Sequence, residues 1–229
     1  MVQAINTKAL LTLASVLRKP GLMVPHVSVA TISDVNYQAL KDQGIAAVMF
    51  DKDNTMTAPY SNVLHPLATS GIDMAIRVFG RDNVAILSNS AGTKDDVDYM
   101  DAIEIENSLG LNVIRHDEKK PGGLNEVLQH FQLSDPATLC MVGDRLLTDI
   151  VFGNLHGMLT VHCMPLCTGV ENKRDNWTAK ILRPAENKLL YGRWYGGSAL
   201  RNKRPAHKLW PGEEVQSLTL ASSEEDTNS

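Results

Sequence analysis

The chain has 229 residues, of which 43% are hydrophobic and 21% charged, with a formal net charge of −4. That length allows one ample core with extensions, and nothing in the total charge suggests a nucleic-acid protein. No apolar run reaches about eighteen residues, so no spanning helix is expected, and three cysteines make no disulfide framework, which points to a reducing compartment.

The first 33 residues carry Lys8, Arg18 and Lys19 and no acid, Asp34 being the first. An acid-free, cationic start resembles a matrix-targeting segment. Leu10, Leu13, Ala14 and Leu17 recur at helical spacing, Lys8, Thr12, Ser15 and Lys19 fall largely elsewhere, and Pro20 with Gly21 ends the helix. Such a helix suits the interface of a bilayer, or equally a place packed on the domain. Residues 1–44 are read as a targeting and membrane-association segment.

From residue 45 to about 170 apolar strands alternate with amphipathic stretches. The strands are IAAVMF (45–50), VAILS (84–88), LNVIRH (111–116), TLCMVG (138–143) and MLTVHC (158–163), with helices at about 66–80, 94–109, 122–131 and 146–155. Near-continuous apolar strands separated by helices imply an α/β fold, a Rossmann-like parallel sheet with helices on both faces. Ligands of such sheets bind beyond the carboxyl ends of the strands. Asp51 and Asp53, then Ser88 and Asn89, then Asp144, therefore share one crevice.

Residues 171–210 hold ten Lys or Arg against Glu171, Asp175 and Glu186, together with Trp177, Tyr191, Trp194, Tyr195 and Trp210. This basic, aromatic extension suits an anionic bilayer surface or forms a solvated cover; nucleic-acid binding is the weaker reading. Residues 211–229 have five acids, no base, and many Ser and Thr, and read as a disordered tail.

The chemistry lies at the strand ends. In DKDNT, Asp51 can attack phosphorus and form an aspartyl-phosphate. Asp53, two residues on, can protonate the leaving alcohol and then take a proton from the hydrolytic water. Asn54 and Thr55 supply the turn. A dianionic ester cannot approach two bare carboxylates, so a hard cation such as Mg2+ is required. Ser88 offers a hydroxyl to a phosphoryl oxygen, with Asn89 beside it. EKKPGG brings Lys119 or Lys120 as a cation for the transition state. In MVGDRLLTD, Asp144 and Asp149 can both face the metal, and Gly143 allows a tight turn.

DKDNT, the serine after the second strand, KKP and GDRLLTD stand in order and resemble the four motifs of the haloacid dehalogenase (HAD) superfamily. The resemblance implies Asp51 as nucleophile, Asp53 as acid/base, Ser88 on the phosphate, and Lys120 rather than Lys119 as the stabilising cation. It implies Asp144 and Asp149 for Mg2+, joined by Asp51 and the Asp53 backbone carbonyl. The gaps from Asp51 to Ser88 and from Ser88 to Lys120 leave no room for a large cap domain. An open site suits a substrate that cannot be engulfed: a protein, a nucleic-acid end or a lipid headgroup.

LRKPGLMVPHVSV followed by GIAAVMFDKDNTMTAPY resembles the mitochondrial phosphatidylglycerophosphate phosphatases of fungi and plants. That resemblance covers roughly residues 17–170. It implies hydrolysis of phosphatidylglycerophosphate to phosphatidylglycerol, toward cardiolipin, by a peripheral protein on the matrix side of the mitochondrial inner membrane. A phosphatase for a soluble phosphomonoester, a phosphoprotein or a polynucleotide end is the alternative.

Plainer roles compete at several positions. Asp149 can pair with Arg145 on a helix. Arg145 can meet a second substrate phosphate, or stay a solvated residue. Ser88 can cap the next helix. His162, Cys163 and Cys167 lack a fourth ligand for zinc and read as core. His65 and His116 lie near strand ends without an assigned role.

Overall fold

The computed structural model describes residues 15–16, 18–167 and 202–210. The expectations for residues 1–14, for most of the basic stretch (171–201) and for the acidic tail (211–229) lie outside the described residues.

Six strands form one wholly parallel sheet: β1 (Val27–Val29), β2 (Ala47–Phe50), β3 (Val84–Ile86), β4 (Asn112–Val113), β5 (Leu139–Gly143) and β6 (Leu159–Cys163). Their order across the sheet is β1-β6-β5-β2-β3-β4. The α-helices whose residues are all described are α1 (Tyr37–Asp42), α2 (Pro66–Phe79), α3 (Met100–Leu109), α4 (Leu124–Phe131) and α5 (Val151–Leu155). Strands β2, β5 and β6 are buried at every position. Alternate residues serve opposite faces. Val48 and Phe50 join Leu40, Ile72, Ala75 and Ile105 in one core, while Ala47 and Met49 join Val127, Phe131 and Phe152 in the other. Both faces are covered, so the period of two leaves no polar trace in these strands. Among the described residues, no helix is long and apolar enough to cross a membrane.

The fold starts well before residue 45, where sequence patterning placed its boundary. β1 pairs with β6 as an edge strand. Leu22, Met23 and Val24 pack on Leu146, Ile150 and Val151, and Asn154 Nδ2 donates to the carbonyls of Leu22 and Val24 at 2.9 and 2.8 Å. The edge strand is only VSV with Ser28 exposed and the helix has six residues, so neither presents an apolar run that stands out. Residues 202–210 also return to this edge: Arg204 Nη1 donates to His26 O at 3.1 Å and Trp210 is buried.

Two helices differ from their periodic outlines. The stretch beginning at 94 becomes regular only at Met100, because Asp98 and Tyr99 adopt left-handed conformations (φ 52° and 56°). The Asp96 carboxylate then accepts from the N–H groups of Asp101 and Ala102, satisfying the first turn of α3. The stretch 146–155 opens as a π-helical turn, Leu146–Ile150, before α5. A turn of this kind is frequent at functional sites, and here it contains Asp149.

Candidate active site

Asp51 follows β2 directly, its N–H donating to Val142 O at 2.9 Å, so the central strand aims it at the crevice. The turn behind it is tightly bonded. The Lys52 carbonyl accepts from Met56 and Thr57 at 2.9 and 3.1 Å, and Asn54 N–H donates to Thr57 O at 2.8 Å. Asn54 has φ 63°, a left-handed conformation that asparagine tolerates better than most residues. Its Oδ1 accepts from Cys167 N at 3.1 Å, tying the turn to the chain after β6.

Three carboxylates from separate elements converge. Asp51, Asp144 after β5 and Asp149 in the π-helical turn each offer an oxygen, all within 4.8 Å of one another. Lys120 enters between two of them. Its Nζ lies 2.7 Å from Asp51 Oδ1, 2.5 Å from Asp149 Oδ1 and 2.8 Å from Leu87 O, which uses all three ammonium hydrogens. The Lys120 side chain has no exposed surface, whereas Lys119 is half exposed and pairs with Asp95. The adjacent lysines therefore face opposite ways, and Lys120 is the one in the crevice.

Charge in this floor is unbalanced. Burial raises Asp51 above the ordinary carboxylate range and the nearby Asp149 raises it further, against the lowering pull of Lys120 and Arg145. Burial alone would lower Lys120, but Asp149 and Asp51 outweigh it and hold the ammonium charged. Three carboxylates against one ammonium leave a formal charge of −2. An all-oxygen donor set of that charge fits a hard divalent cation.

Asp53 stands apart from this triple. Its Oδ1 accepts from Lys52 Nζ at 2.7 Å and from Tyr60 N at 3.1 Å. Lys52 is itself buried and also donates to Ser61 O at 2.8 Å, locking the loop that follows the turn. Sequence reasoning passed over Lys52, because a lysine between two acids reads as a solvated counter-charge. Its burial becomes visible only once residues 57–61 fold back over it.

Ser88 Oγ accepts from Ser90 and Ala91 N–H groups at 3.2 and 3.4 Å, which bonds a turn and not the helix start expected as its plainer role, since the next α-helix begins only at Met100. Asn89 Oδ1 accepts from Lys120 N at 2.8 Å, so its carbonyl orients the lysine loop. Asp149 Oδ2 accepts from the Arg145 backbone N–H at 3.1 Å, while its Oδ1 takes the Lys120 ammonium; the expected alternative of a helix-face pair with Arg145 is replaced.

Gly143 has a different reason from the turn expected of it. It is a strand residue, and a Cβ built there would lie 2.3 Å from Asp149 Oδ2, so the missing side chain is the space the carboxylate occupies. His162 Nε2 contacts Asp144 O at 3.1 Å, and Cys163 is buried beside Thr55 with its thiol pushed well up by desolvation. These residues belong to the core, as the missing fourth ligand indicated. His65 caps α2, accepting from Leu67 N at 3.2 Å.

An open parallel sheet with an aspartate after its central strand β2, a buried lysine, and two further aspartates after the neighbouring strand β5 is the arrangement of the haloacid dehalogenase class. Within that class, the chain belongs to the family described as mitochondrial PGP phosphatase, whose profile matches residues 7–167. It is 40% identical over 203 residues to "Phosphatidylglycerophosphate phosphatase 1, chloroplastic/mitochondrial" of Arabidopsis thaliana, covering 82% of this chain and 58% of that protein. It is 43% identical over 153 residues to the chloroplastic phosphatidylglycerophosphate phosphatase 1 of Chlamydomonas reinhardtii, covering 66% and 56%. With the mitochondrial phosphatidylglycerophosphatase of Saccharomyces cerevisiae the identity is 33% over 156 residues, covering 66% and 83%. The chain thus matches less than two thirds of the length of the two plant-lineage relatives. No solved structure matches it.

Proposed function

We propose that the chain is a Mg2+-dependent phosphatidylglycerophosphate phosphatase acting through an aspartyl-phosphate on Asp51. The observation that carries this reading is Lys120 Nζ, buried between Asp51 and Asp149 beside a third carboxylate at the strand ends. The names of the relatives supply the substrate.

In the first step an Asp51 carboxylate oxygen forms a bond to phosphorus as the bond to the leaving alkoxide breaks, and Asp53 gives that alkoxide its proton. In the second, Asp53 takes a proton from water, whose oxygen attacks phosphorus. The Asp51–phosphorus bond then breaks and releases inorganic phosphate. Lys120 and the Ser88 hydroxyl stabilise charge on the equatorial oxygens. Asp51, Asp144, Asp149 and the Asp53 carbonyl would hold the metal ion, which supplies charge neutralisation and orientation of the phosphoryl group.

Asp53, bonded here to Lys52 and Tyr60 N, must turn toward the leaving group to serve as acid. The described connections after β2 and β3 each contain one α-helix, α2 and α3, with a short 3-10 turn beside it and no cap domain, which supports a substrate presented by a membrane. Contact with an anionic bilayer through the amino-terminal segment and the basic 171–210 stretch, on the matrix face of the mitochondrial inner membrane, completes the proposal.

The test is phosphate release from phosphatidylglycerophosphate in vesicles, with and without Mg2+, compared with glycerol phosphates and a phosphopeptide. Mg2+-dependent release favouring the lipid, abolished in a folded Asp51→Asn variant, is expected. Preference for a soluble ester would replace the lipid reading with the soluble-substrate one.

A further inference from the structure

The ladder between β3 and β4 extends only as far as Ile114 N–H on Ile86 O. Beyond it, the chain carrying Ser88 and the chain carrying Lys120 continue side by side without strand pairing, yet both must address one phosphoryl group. His116 stands between them. It is 2% exposed, and its two ring nitrogens contact backbone carbonyls on the two sides: Nε2 lies 2.8 Å from Ser88 O and Nδ1 2.7 Å from Glu118 O. Its own N–H donates to Gly92 O at 2.8 Å, fixing the backbone from which the ring projects. Gly123 closes behind it at φ +87°, where a Cβ would come 3.3 Å from His116 Cβ.

We propose that His116 is a positioning residue for the phosphatase reaction, holding the Ser88 turn and the Lys120 loop in register. The proposal rests on the function given above. Both contacts are to main-chain carbonyls, of Ser88 itself and of a residue two before Lys120, so displacement of the ring moves both functional positions. Asn89 Oδ1 on Lys120 N, at 2.8 Å, is a second tie across the same gap. A neutral imidazole has one N–H, so it donates to one carbonyl and depends on packing to hold the other, whereas an apolar replacement donates to neither. Burial disfavours the charged ring and Lys120 adds to that; the carbonyls of Ser88 and Glu118, and Glu126 on α4, favour protonation, but burial outweighs them.

Three variants separate positioning from mere core filling. His116→Leu keeps the volume and removes both contacts. His116→Gln returns an N–H near the Nε2 position, and His116→Asn returns one near Nδ1. Turnover is measured on p-nitrophenyl phosphate and on phosphatidylglycerophosphate vesicles, with thermal unfolding as the check on folding. The expected result for His116→Leu is a fall in kcat of about 10²-fold with KM little changed, since misplacement of reacting groups costs about that much. At least one of His116→Gln and His116→Asn recovers about tenfold of it, reporting which carbonyl matters. A folded His116→Leu variant with the wild-type kcat overturns the proposal, as does equal loss in all three variants.

Nitrogen-15 NMR of the wild-type imidazole gives a readout independent of turnover. A slowly exchanging His116 ring N–H supports the clamp, and a freely exchanging ring removes it even if His116→Leu does not fold. Absence of phosphate release from either ester by the wild-type protein would sink the proposed function instead, leaving the ring measurement to report on the clamp.

Discussion

Gly143 and Asp149 occupy one space: a β-carbon on the glycine would stand 2.3 Å from Oδ2 and 2.5 Å from Cγ of the aspartate. The carboxylate cannot retreat without loosening its bonds to Lys120 Nζ and Arg145 N. Gly143→Ala should therefore leave the buried strand intact and push Asp149 out of the carboxylate triple. The expected outcome is a loss of kcat/KM of about 10²-fold or more, with weaker Mg2+ dependence, measured by phosphate release over a range of Mg2+ concentrations. Full activity in a folded variant would show that Asp149 has other room.

Lys120→Met removes the cation that two carboxylates share. Turnover should fall by about 10²–10³-fold, the range seen when one preorganised charge stabiliser is lost. The metal-free protein should also lose stability, by about 3 kcal/mol, because a buried pair is broken on one side. Lys119→Met, at a half-exposed surface pair, should change stability by less than about 1 kcal/mol. Kinetics and urea unfolding of the two variants side by side check both halves of the prediction.

Metal binding is testable without turnover. A ligand that binds the folded state alone raises stability in proportion to RT ln(1 + [L]/Kd). Mg2+ should raise the melting temperature of the wild-type chain, and Asp144→Asn should abolish that rise. An unchanged melting temperature at millimolar Mg2+ in the wild type would count against the carboxylate triple as the ion's site.

Asn54 tests the turn that carries Asp53. Asn54→Gly keeps the left-handed conformation and loses the side-chain bond to Cys167 N, at a cost of about 1 kcal/mol. Asn54→Ala loses both, at about 2–3 kcal/mol. Denaturant midpoints give the difference between them, and equal values would show that backbone conformation is not what asparagine supplies.

His26 links stability to pH. Burial, helped by His207 and Arg204, lowers it from the ordinary value of 6.5 to about 3. The unfolded chain therefore binds a proton at His26 that the folded chain refuses. The resulting stabilisation is fully present above pH 6.5 and is lost as the pH falls from there toward about 3. Relative to His26→Gln, the wild type should lose up to about 1.4 kcal/mol for each pH unit below that point. Urea midpoints between pH 7.5 and 4.5 measure this, and a constant gap between the two proteins would rule it out.

Much of this protein was legible in its residues. β2, β3, β5 and β6 stood out because both faces of the sheet are covered there, leaving apolar runs such as AVMF and LCMVG, and β4 fell within LNVIRH although Asn112 is exposed. A strand end is also where polar chemistry must sit in such a sheet, so Asp51, Ser88, Lys120 and Asp144 could be read in order along the chain. β1 and α1 could not: β1 is VSV with Ser28 exposed, and α1 is six residues long, so neither presents an apolar run that stands out from its surroundings.

Sequence alone settled which residue types reach the carboxyl edge of the sheet, because that follows from local alternation and chain order. Tertiary structure alone decided how they meet: which of two adjacent lysines turns inward, why position 143 has no side chain, and that Lys52 and His116 are buried ties. Those outcomes depend on atoms brought together from distant parts of the chain, Asp51 and Lys120 being 69 positions apart. Hydrogen-bond reach and excluded volume act on such pairs only after the backbone has closed around them.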